Sequence, residues 1–190
     1  LPIDVGEPMG LVGHSQGAEV GAMLAAVEPR INTYVLHGVG TYLSETIVHR
    51  TDPFDVSELL ADMFGISEVS RFHPMIQLVQ VGADIVDPGN YLATWSDRAS
   101  NVFIVGGYHD QDVYWVSINT LVLGADAAVA EPPGWDVDPL DVWGVNTAPF
   151  PIQGTHTNRQ GQVHTIAAYL DADGDHYTLY EDPSLYPVAM

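Results

Sequence analysis

The feature that most constrains this chain is the pentapeptide at residues 13–17, Gly-His-Ser-Gln-Gly, which fits the pattern G-x-S-x-G. The apolar run at residues 9–12 is typical of the end of a buried strand, and the alanine-rich segment 18–27 is typical of a packed helix. A strand, a sharp turn and a helix in this order are the context in which the motif presents a serine nucleophile. The sequence therefore predicts a nucleophile elbow with Ser15 at its tip.

The turn at this elbow forces the serine into a strained backbone conformation and needs small residues around it. Gly13 and Gly17 have no Cβ, which predicts that the strand and the helix approach closely around the serine. The Ser15 hydroxyl is then exposed at the N-terminus of the helix, where the helix dipole favours developing negative charge. The backbone N–H of Gln16 is expected to donate to an oxyanion, and His14 is expected to line the site.

The rest of the chain alternates strand and helix signals, which predicts an α/β fold with a mainly parallel sheet. Residues 41–100 are less regular, and a helix with Gly65 as its C-cap is predicted within them, after Asp55. Residues 131–161 are predicted to form a long ordered loop, because three large aromatic side chains lie within it. The later strands are predicted at the apolar segments 31–38, 101–107 and 163–170.

The composition limits the partners that this chain can have. It contains 5 Lys and Arg residues against 25 Asp and Glu residues, a formal net charge of −20. No nucleic acid or anionic membrane partner is expected, because binding them requires clustered cations. The acidity is typical of a hydrated surface in a salty or extracellular medium, and an acidic patch for a cation is the alternative.

No apolar run approaches a membrane span, so no stable membrane insertion is expected. The absence of cysteine excludes disulfides and thiol nucleophiles.

A serine hydroxyl becomes a strong nucleophile only when a base takes its proton and a carboxylate orients that base. Where this elbow is found, the acid and then the histidine follow the serine, each on a loop after a strand. One pair that fits is Asp84 with His109, which needs a strand at residues 75–81. The other is Asp110 with His176. The first pair is more compact in sequence, whereas the second assigns a role to the remainder of the chain.

The chain resembles the α/β-hydrolase superfamily, and more narrowly bacterial secreted or surface-associated lipase- and esterase-like serine hydrolases. In these proteins the acid corresponds to Asp110 and the base to His176, while Asp84 falls in a helical insertion. One departure is Asp175, which stands where the pattern has glycine and places a carboxylate beside the base. Besides the elbow, the resemblance rests on the segments 35–38, 71–74, 87–91, 107–113, 174–177 and 181–183.

The resemblance implies a three-layer αβα sandwich with a helical insertion at about 41–100. Residues 1–190 would be the C-terminal part of a single domain, with the early strands and the second oxyanion donor supplied by a longer parent chain or a partner. The isolated chain is expected to be unstable or inactive. Bacterial secretion or display on the cell surface is expected.

The implied activity is the cleavage of carboxylic esters through an acyl-enzyme, with a small-molecule ester or lipid as substrate. Ser15, Asp110 and His176 would form the catalytic triad, with no metal and no organic cofactor. Two alternatives are a hydrolase fold kept as a non-catalytic binding or surface module, and a serine peptidase on the same fold.

Most other polar candidates are expected to be structural. Asp112 is expected to be a neighbour of the acid loop, and His156 is the spare candidate for the base. The aspartates of residues 171–175 have the alternate spacing of a calcium loop, but the glycine stands at the wrong offset, so a turn is predicted. The aromatic residues Trp135, Trp143 and Phe150 are expected to anchor their own loop rather than line an acyl pocket. Structural roles are predicted for His37, His49, His73 and His164.

Overall fold

The computed structural model describes residue 7 and residues 9–185. Its main sheet has six strands in the spatial order β1-β2-β3-β8-β4-β5, and every neighbouring pair is parallel. The strands of this sheet are β1 (Met9–His14), β2 (Ile31–His37), β3 (Asn101–Gly107), β4 (Ala128–Ala130), β5 (Thr147–Ala148) and β8 (Ile166–Asp171). A separate antiparallel pair is formed by β6 (His156–Thr157) and β7 (Val163–His164). The helices are α1 (Gln16–Val27), α2 (Leu43–His49), α3 (Val56–Phe64), α4 (Pro74–Ala83), α5 (Leu92–Arg98), α6 (Trp115–Gly124) and α7 (Thr178–Glu181).

The larger core lies between one face of the sheet and helices α1, α5 and α6. Alternate residues of the central strands enter it, as the side-chain period of a strand requires, and Trp95 of α5 is fully buried among them. The Trp95 indole N–H donates to the Ala22 carbonyl at 2.8 Å, which joins α5 to α1. A smaller core on the opposite face packs Val35 and Val105 against Leu179 of α7. Helices therefore cover both faces, as predicted for a three-layer fold.

Helices α2 to α5 form the expected insertion between β2 and β3. The helix predicted after Asp55 is confirmed as α3: the Asp55 carboxylate accepts the Glu58 N–H, and Gly65 ends the helix with a φ of 65°. Residues 75–81 belong to α4, which begins at Pro74, so the strand required by the Asp84–His109 pair is absent. Proline suits the first turn of a helix because its missing N–H would have no partner there.

Two segments differ from the prediction. The strand expected at residues 163–170 is two strands, because the chain leaves β7 before it enters β8 at Ile166. The segment 131–161 is not wholly loop, since it contains β5 and β6. Strands β5 and β6 are each two residues long, which is too short to leave a periodic signal in the sequence. Within the described residues, no helix is long and apolar enough to cross a membrane.

The two glycines of the elbow have different surroundings. A Cβ added at Gly13 would lie 2.6 Å from the Gly17 carbonyl oxygen and 2.8 Å from the Ala18 Cα, which is too close for any side chain. A Cβ added at Gly17 would have no atom within 4 Å. The close approach predicted around Ser15 is therefore found between Gly13 and the backbone of residues 17 and 18, whereas position 17 itself has room for a side chain.

This difference predicts opposite effects for two matched substitutions. Gly13→Ala places a methyl group against backbone atoms and should lower the free energy of unfolding by about 1–3 kcal/mol. Gly17→Ala adds a methyl group in open space within a helix and should change it by less than about 1 kcal/mol, in the stabilising direction. Urea denaturation of the two variants measures both values, and equal losses would contradict the packing described at Gly13.

Candidate active site

The carboxyl ends of four parallel strands meet at one edge of the sheet. His14 of β1 is in register with His37 of β2, which is in register with Val105 of β3. Ser15 follows β1 directly, and the loops after β3 and β8 carry Asp110 and His176. In open α/β sheets this edge is where ligands bind.

Ser15 has the strained backbone expected at the tip of an elbow. Its φ of 54° and ψ of −128° lie in a region that residues with a side chain rarely adopt. Its N–H donates to the His37 carbonyl at 2.9 Å, and its carbonyl accepts the N–H groups of Ala18 and Glu19 at the start of α1. The Ser15 side chain is half-buried. Within the described residues, no hydrogen bond joins its hydroxyl to the imidazole of His176.

Asp110 and His176 form a buried pair. The Nδ1 atom of His176 lies 2.8 Å from Oδ2 of Asp110, and both side chains are shielded from solvent. The other carboxylate oxygen accepts the backbone N–H groups of Asp112 at 2.8 Å and Val113 at 2.7 Å. The loop thus fixes one oxygen while the second oxygen orients the ring, which keeps the proton on Nδ1 and leaves Nε2 as an acceptor.

The pKa of the His176 imidazole is raised above its ordinary 6.5. Burial lowers this pKa, but the hydrogen bond and charge of Asp110 and the charge of Asp112 outweigh burial. Asp112 is itself paired with Arg50 at 2.7 Å. Asp175, which was expected to act on the base, instead accepts the Tyr177 N–H at 2.7 Å and is not among the groups that shift this pKa.

Gly38 contributes to the site in a way that the sequence analysis missed. Its φ is +60°, and an added Cβ would lie 2.9 Å from Cε1 of His176 and 3.6 Å from Oδ2 of Asp110. The absence of a side chain therefore leaves the room that the acid–base pair occupies. A glycine at the end of the strand predicted at residues 31–38 was the available signal.

His37 and His14 form a second imidazole pair beside His176. His37 is fully buried, and its Nε2 accepts the Leu179 N–H at 3.4 Å. Its proton is therefore assigned to Nδ1, which donates to Nδ1 of His14 at 3.1 Å. The His14 proton is then on Nε2, and the centre of its ring lies 4.6 Å from that of His176. His37 is thus a buried ring with hydrogen bonds at both nitrogens, and His14 lies between His37 and the imidazole of His176.

Both members of this second pair favour the neutral ring. Burial, followed by the neighbouring His14 and His176, lowers the pKa of His37 to about 4. Burial and the nearby His176 also lower the pKa of His14. One imidazole of the cluster is thus held near a carboxylate, while the other two resist protonation.

The remaining candidates have varied surroundings. The N–H of Gln16 has no acceptor within the described residues, as an oxyanion donor requires. Asp84 ends α4, where its carboxylate accepts the Gln80 side-chain amide at 3.0 Å, and no hydrogen bond joins it to His109 in the part of the chain described. His156 lies on the β6–β7 hairpin, away from the loops that carry Asp110 and His176.

One cluster of possible metal ligands coincides with the acid–base pair. Among the described residues, Asp110, Asp112 and His176 are the group of three whose ligand atoms all lie within 4.8 Å of one another. Each of them already has a partner, because His176 is bonded to Asp110, and Asp112 is paired with Arg50. The donor set therefore fits an oriented acid–base pair.

An aromatic cavity lies beside the loop that carries the acid. It has a volume of about 400 Å³ and is lined by Tyr108, Trp115 and Trp135 together with His109. The Trp135 indole N–H donates to the Asn119 side chain at 2.7 Å. Trp135 therefore anchors its loop, as expected, and also lines a cavity. His109 is shared with a second cavity that His176 lines.

The low pKa of His37 predicts a specific dependence of stability on pH. An unfolded histidine takes up a proton near pH 6.5, whereas His37 in the folded chain does so near pH 4. Between pH 6.5 and pH 4 the unfolded state binds more protons than the folded state. The free energy of unfolding therefore falls as the pH falls through this range. The contribution is roughly 3 kcal/mol across this range. Urea denaturation of the native chain and of His37→Gln should give curves that converge as the pH falls from 6.5 to 4, and parallel curves would contradict the assignment.

No protein-family model matches the chain, and no curated protein sequence matches it. Solved structures do resemble it. An esterase from Pyrococcus furiosus is 12% identical with a TM-score of 0.48, over 94% of this chain and 49% of that one. An acetyl xylan esterase from Thermoanaerobacterium is 14% identical with a TM-score of 0.49, over 88% and 39%. An acylaminoacyl peptidase from Pyrococcus horikoshii is 10% identical with a TM-score of 0.51, over 92% and 21%.

The present chain spans about half the length of the first esterase and about a fifth of the peptidase. Sequence identities of 10–14% support a similar fold but not a shared activity or substrate. The parallel sheet, the helices on its two faces and the strand–turn–helix at Ser15 agree with the likeness to the peptidase, which has the TM-score of 0.51. The chain therefore has the α/β-hydrolase fold that its sequence predicted.

Proposed function

We propose that this chain carries the catalytic residues of a serine hydrolase that cleaves carboxylic esters. The observation that carries the proposal is the buried hydrogen bond between Asp110 and His176, at the same sheet edge as the strained Ser15. A nucleophile, a base and a group that orients the base are the three parts that such chemistry requires. The preference for esters rests on the resemblance of the sequence to lipase- and esterase-like hydrolases.

The proposed reaction proceeds through an acyl-enzyme. Ser15 Oγ attacks the ester carbonyl carbon while Nε2 of His176 accepts the hydroxyl proton. The tetrahedral intermediate collapses, the bond to the alkoxy oxygen breaks, and His176 returns the proton to the departing alcohol. Water then attacks the acyl-enzyme with His176 again as base, which releases the carboxylic acid and restores Ser15. Asp110 remains charged throughout and stabilises the imidazolium.

The oxyanion that forms in both steps needs donors that are already in place. The Gln16 N–H at the first turn of α1 is proposed as one of them. The second is proposed to come from chain outside residues 1–190, together with strands that pair with the outer edge of β1. The main support is that β1 pairs with β2 alone in the described sheet.

The aromatic cavity beside the acid loop is the proposed place for an apolar part of the substrate. Tyr108 and Trp115 stack with their ring centres 5.5 Å apart, and Trp135 lies at the same distance from Tyr108. Aromatic walls suit a substrate group that is apolar, because burial of apolar surface stabilises its binding.

Ser15 should be the only site of covalent labelling. The full-length protein should react with a fluorophosphonate probe, and Ser15→Ala should abolish both the label and the hydrolysis of p-nitrophenyl esters. Asp110→Asn should lower kcat by roughly 10³- to 10⁴-fold, because the imidazole loses its orienting charge. Labelling is followed by mass spectrometry and turnover by release of the nitrophenolate.

Asp84→Asn is the matched control for the acid, since it makes the same change at the competing position. It should leave kcat within a few-fold. If Asp84→Asn alone abolished turnover, Asp110 would not be the acid. No Ser15-dependent label would favour a non-catalytic module, and cleavage of p-nitroanilides faster than of esters would favour a peptidase.

The charge of Asp112 should set part of the pH dependence. His176 can act as the base only when its ring is neutral, and this requires a pH above its raised pKa. We therefore expect kcat/KM to rise with pH, with the midpoint of the rise above pH 6.5. Asp112→Asn removes one of the charges that raise this pKa, so the midpoint should move to lower pH. Asp97→Asn, whose side chain pairs with Arg159 far from the site, is the control that should leave the midpoint in place. An unchanged midpoint in Asp112→Asn would count against His176 as the base.

A further inference from the structure

The cavity that His176 lines is separate from the aromatic cavity and differs from it in chemistry. Its volume is about 220 Å³, and the loops after α2, β3 and β8 form its walls. Three aspartates and one tyrosine border it beside the imidazole, and none of the described residues that line it is lysine or arginine. We call this cavity the acidic cleft; the residues that define it are His176, Tyr177, Asp52, Asp112 and Asp175.

The acidic cleft borders the nitrogen that the proposed reaction uses. His176 is 6% exposed, and its Nδ1 is bonded to Asp110 at 2.8 Å. Within the described residues no group is hydrogen-bonded to its Nε2, so this atom is open to a bound molecule. In the proposed reaction Nε2 returns a proton to the departing alcohol, whose oxygen must come within about 3 Å of it. The alcohol part of the ester therefore lies beside the acidic cleft.

Two of the three aspartates have no cation beside their carboxylates. Asp112 is paired with Arg50 at 2.7 Å. The Asp175 carboxylate accepts the Tyr177 N–H at 2.7 Å, which leaves its charge in place. The Asp52 backbone carbonyl accepts from Arg50, but in the part of the chain described the Asp52 carboxylate has no hydrogen bond or ion pair. Such a cleft attracts cations, and the formal charge of −20 on the whole chain adds to this attraction.

An aromatic ring forms another wall of the acidic cleft. Tyr177 is 51% exposed, and its ring centre lies 5.5 Å from that of His176 with the planes inclined by 81°. A cation within about 6 Å of the centre of a tyrosine ring is attracted to the face of that ring. A neutral alcohol donates hydrogen bonds to carboxylates but leaves their charge unbalanced. An ammonium group meets both features, the carboxylates and the ring.

The volume of the acidic cleft suits a small ammonium group. Its 220 Å³ corresponds to the liquid volume of about seven water molecules at roughly 30 Å³ each. An ethanol unit that carries a trimethylammonium group has about the same number of non-hydrogen atoms. The cleft therefore has room for the alcohol part of a small amino-alcohol ester.

We propose that the acidic cleft binds an ammonium group on the alcohol part of the substrate, so that the esters cleaved are those of amino alcohols. The proposal rests on the proposed hydrolase function, because it uses the same nucleophile and base. Asp52 and Asp175 supply the negative charge, and Tyr177 supplies the ring face. The bond changes are those of the acyl-enzyme route: the bond between the acyl carbon and the alkoxy oxygen breaks, and the alcohol leaves with its ammonium group intact.

The test compares two esters of one acid as substrates of the full-length protein. Butyrylcholine carries the ammonium group, and 3,3-dimethylbutyl butyrate has the same shape with carbon in place of the charged nitrogen. Release of butyric acid is followed by titration at constant pH. At low salt kcat/KM should be about tenfold or more higher for butyrylcholine, because the carboxylates and the ring attract its cation. This ratio should fall as the salt concentration rises, because salt screens the attraction.

Variants of the cleft should change this ratio in a defined order. Asp52→Asn and Asp175→Asn should each lower it about threefold or more, since each removes one charge and keeps the shape. Tyr177→Leu should also lower it, whereas Tyr177→Phe keeps the ring and should retain most of the preference. Asp126→Asn is the matched control, because it removes the same charge before β4, at the opposite end of the sheet from Ser15. Asparagine tolerates the φ of 52° found at this position, and the ratio should stay unchanged.

Binding to Ser15→Ala separates this proposal from the proposed hydrolase activity. The variant lacks the nucleophile, and calorimetry should show that it binds butyrylcholine more tightly than 3,3-dimethylbutyl butyrate. Equal kcat/KM for the two esters, or equal affinity of Ser15→Ala for them, would overturn the acidic cleft as a cation site and leave the hydrolase function standing. If neither ester is hydrolysed, the proposed function fails, and the calorimetric comparison still decides whether the cleft binds a cation.

Discussion

The contact between the end of β1 and the start of α1 is the constraint on which the site depends. At Gly13 the two elements approach so closely that backbone meets backbone. The chain must therefore reverse within one residue, and Ser15 takes up the strain with a positive φ. The same turn directs the Ser15 N–H to the His37 carbonyl, which ties the elbow to β2. The parallel register then places the loops of Asp110 and His176 at the same edge.

Three imidazoles share this edge, and their environments separate their properties. All three are buried to some degree, which on its own disfavours the charged ring. His176 escapes this trend because Asp110 lies 2.8 Å from its Nδ1. His37 has only neutral partners, a backbone amide and His14, so burial prevails there. The Asp110 carboxylate thus makes His176 suited to accept a proton, whereas His37 stays neutral and holds His14 by a hydrogen bond.

Much of this arrangement could be predicted from local sequence, because an elbow, a capped helix and buried strands leave short-range signals. The acid and the histidine followed from chain order and resemblance, and the structure does place Asp110 beside His176. The bond between His37 and His14, 23 positions apart, could not be predicted, since it depends on strand register. The same holds for the cross-strand pair His156 and His164, whose strands are two residues long. The room for a side chain at position 17 could not be predicted either, because a motif names a residue without showing what surrounds it.

The position of β1 at the margin of the described sheet has a consequence for how this chain behaves in solution. Its six residues, Met9–His14, include no acidic side chain, no lysine or arginine and no proline, the features that natural edge strands use to discourage unwanted pairing. Val12 is 62% exposed on the same strand. Wherever this margin is left uncovered, its backbone groups form a template for a strand of another molecule. Self-association through β1 then grows with concentration, despite the mutual repulsion of chains that each carry a formal charge of −20.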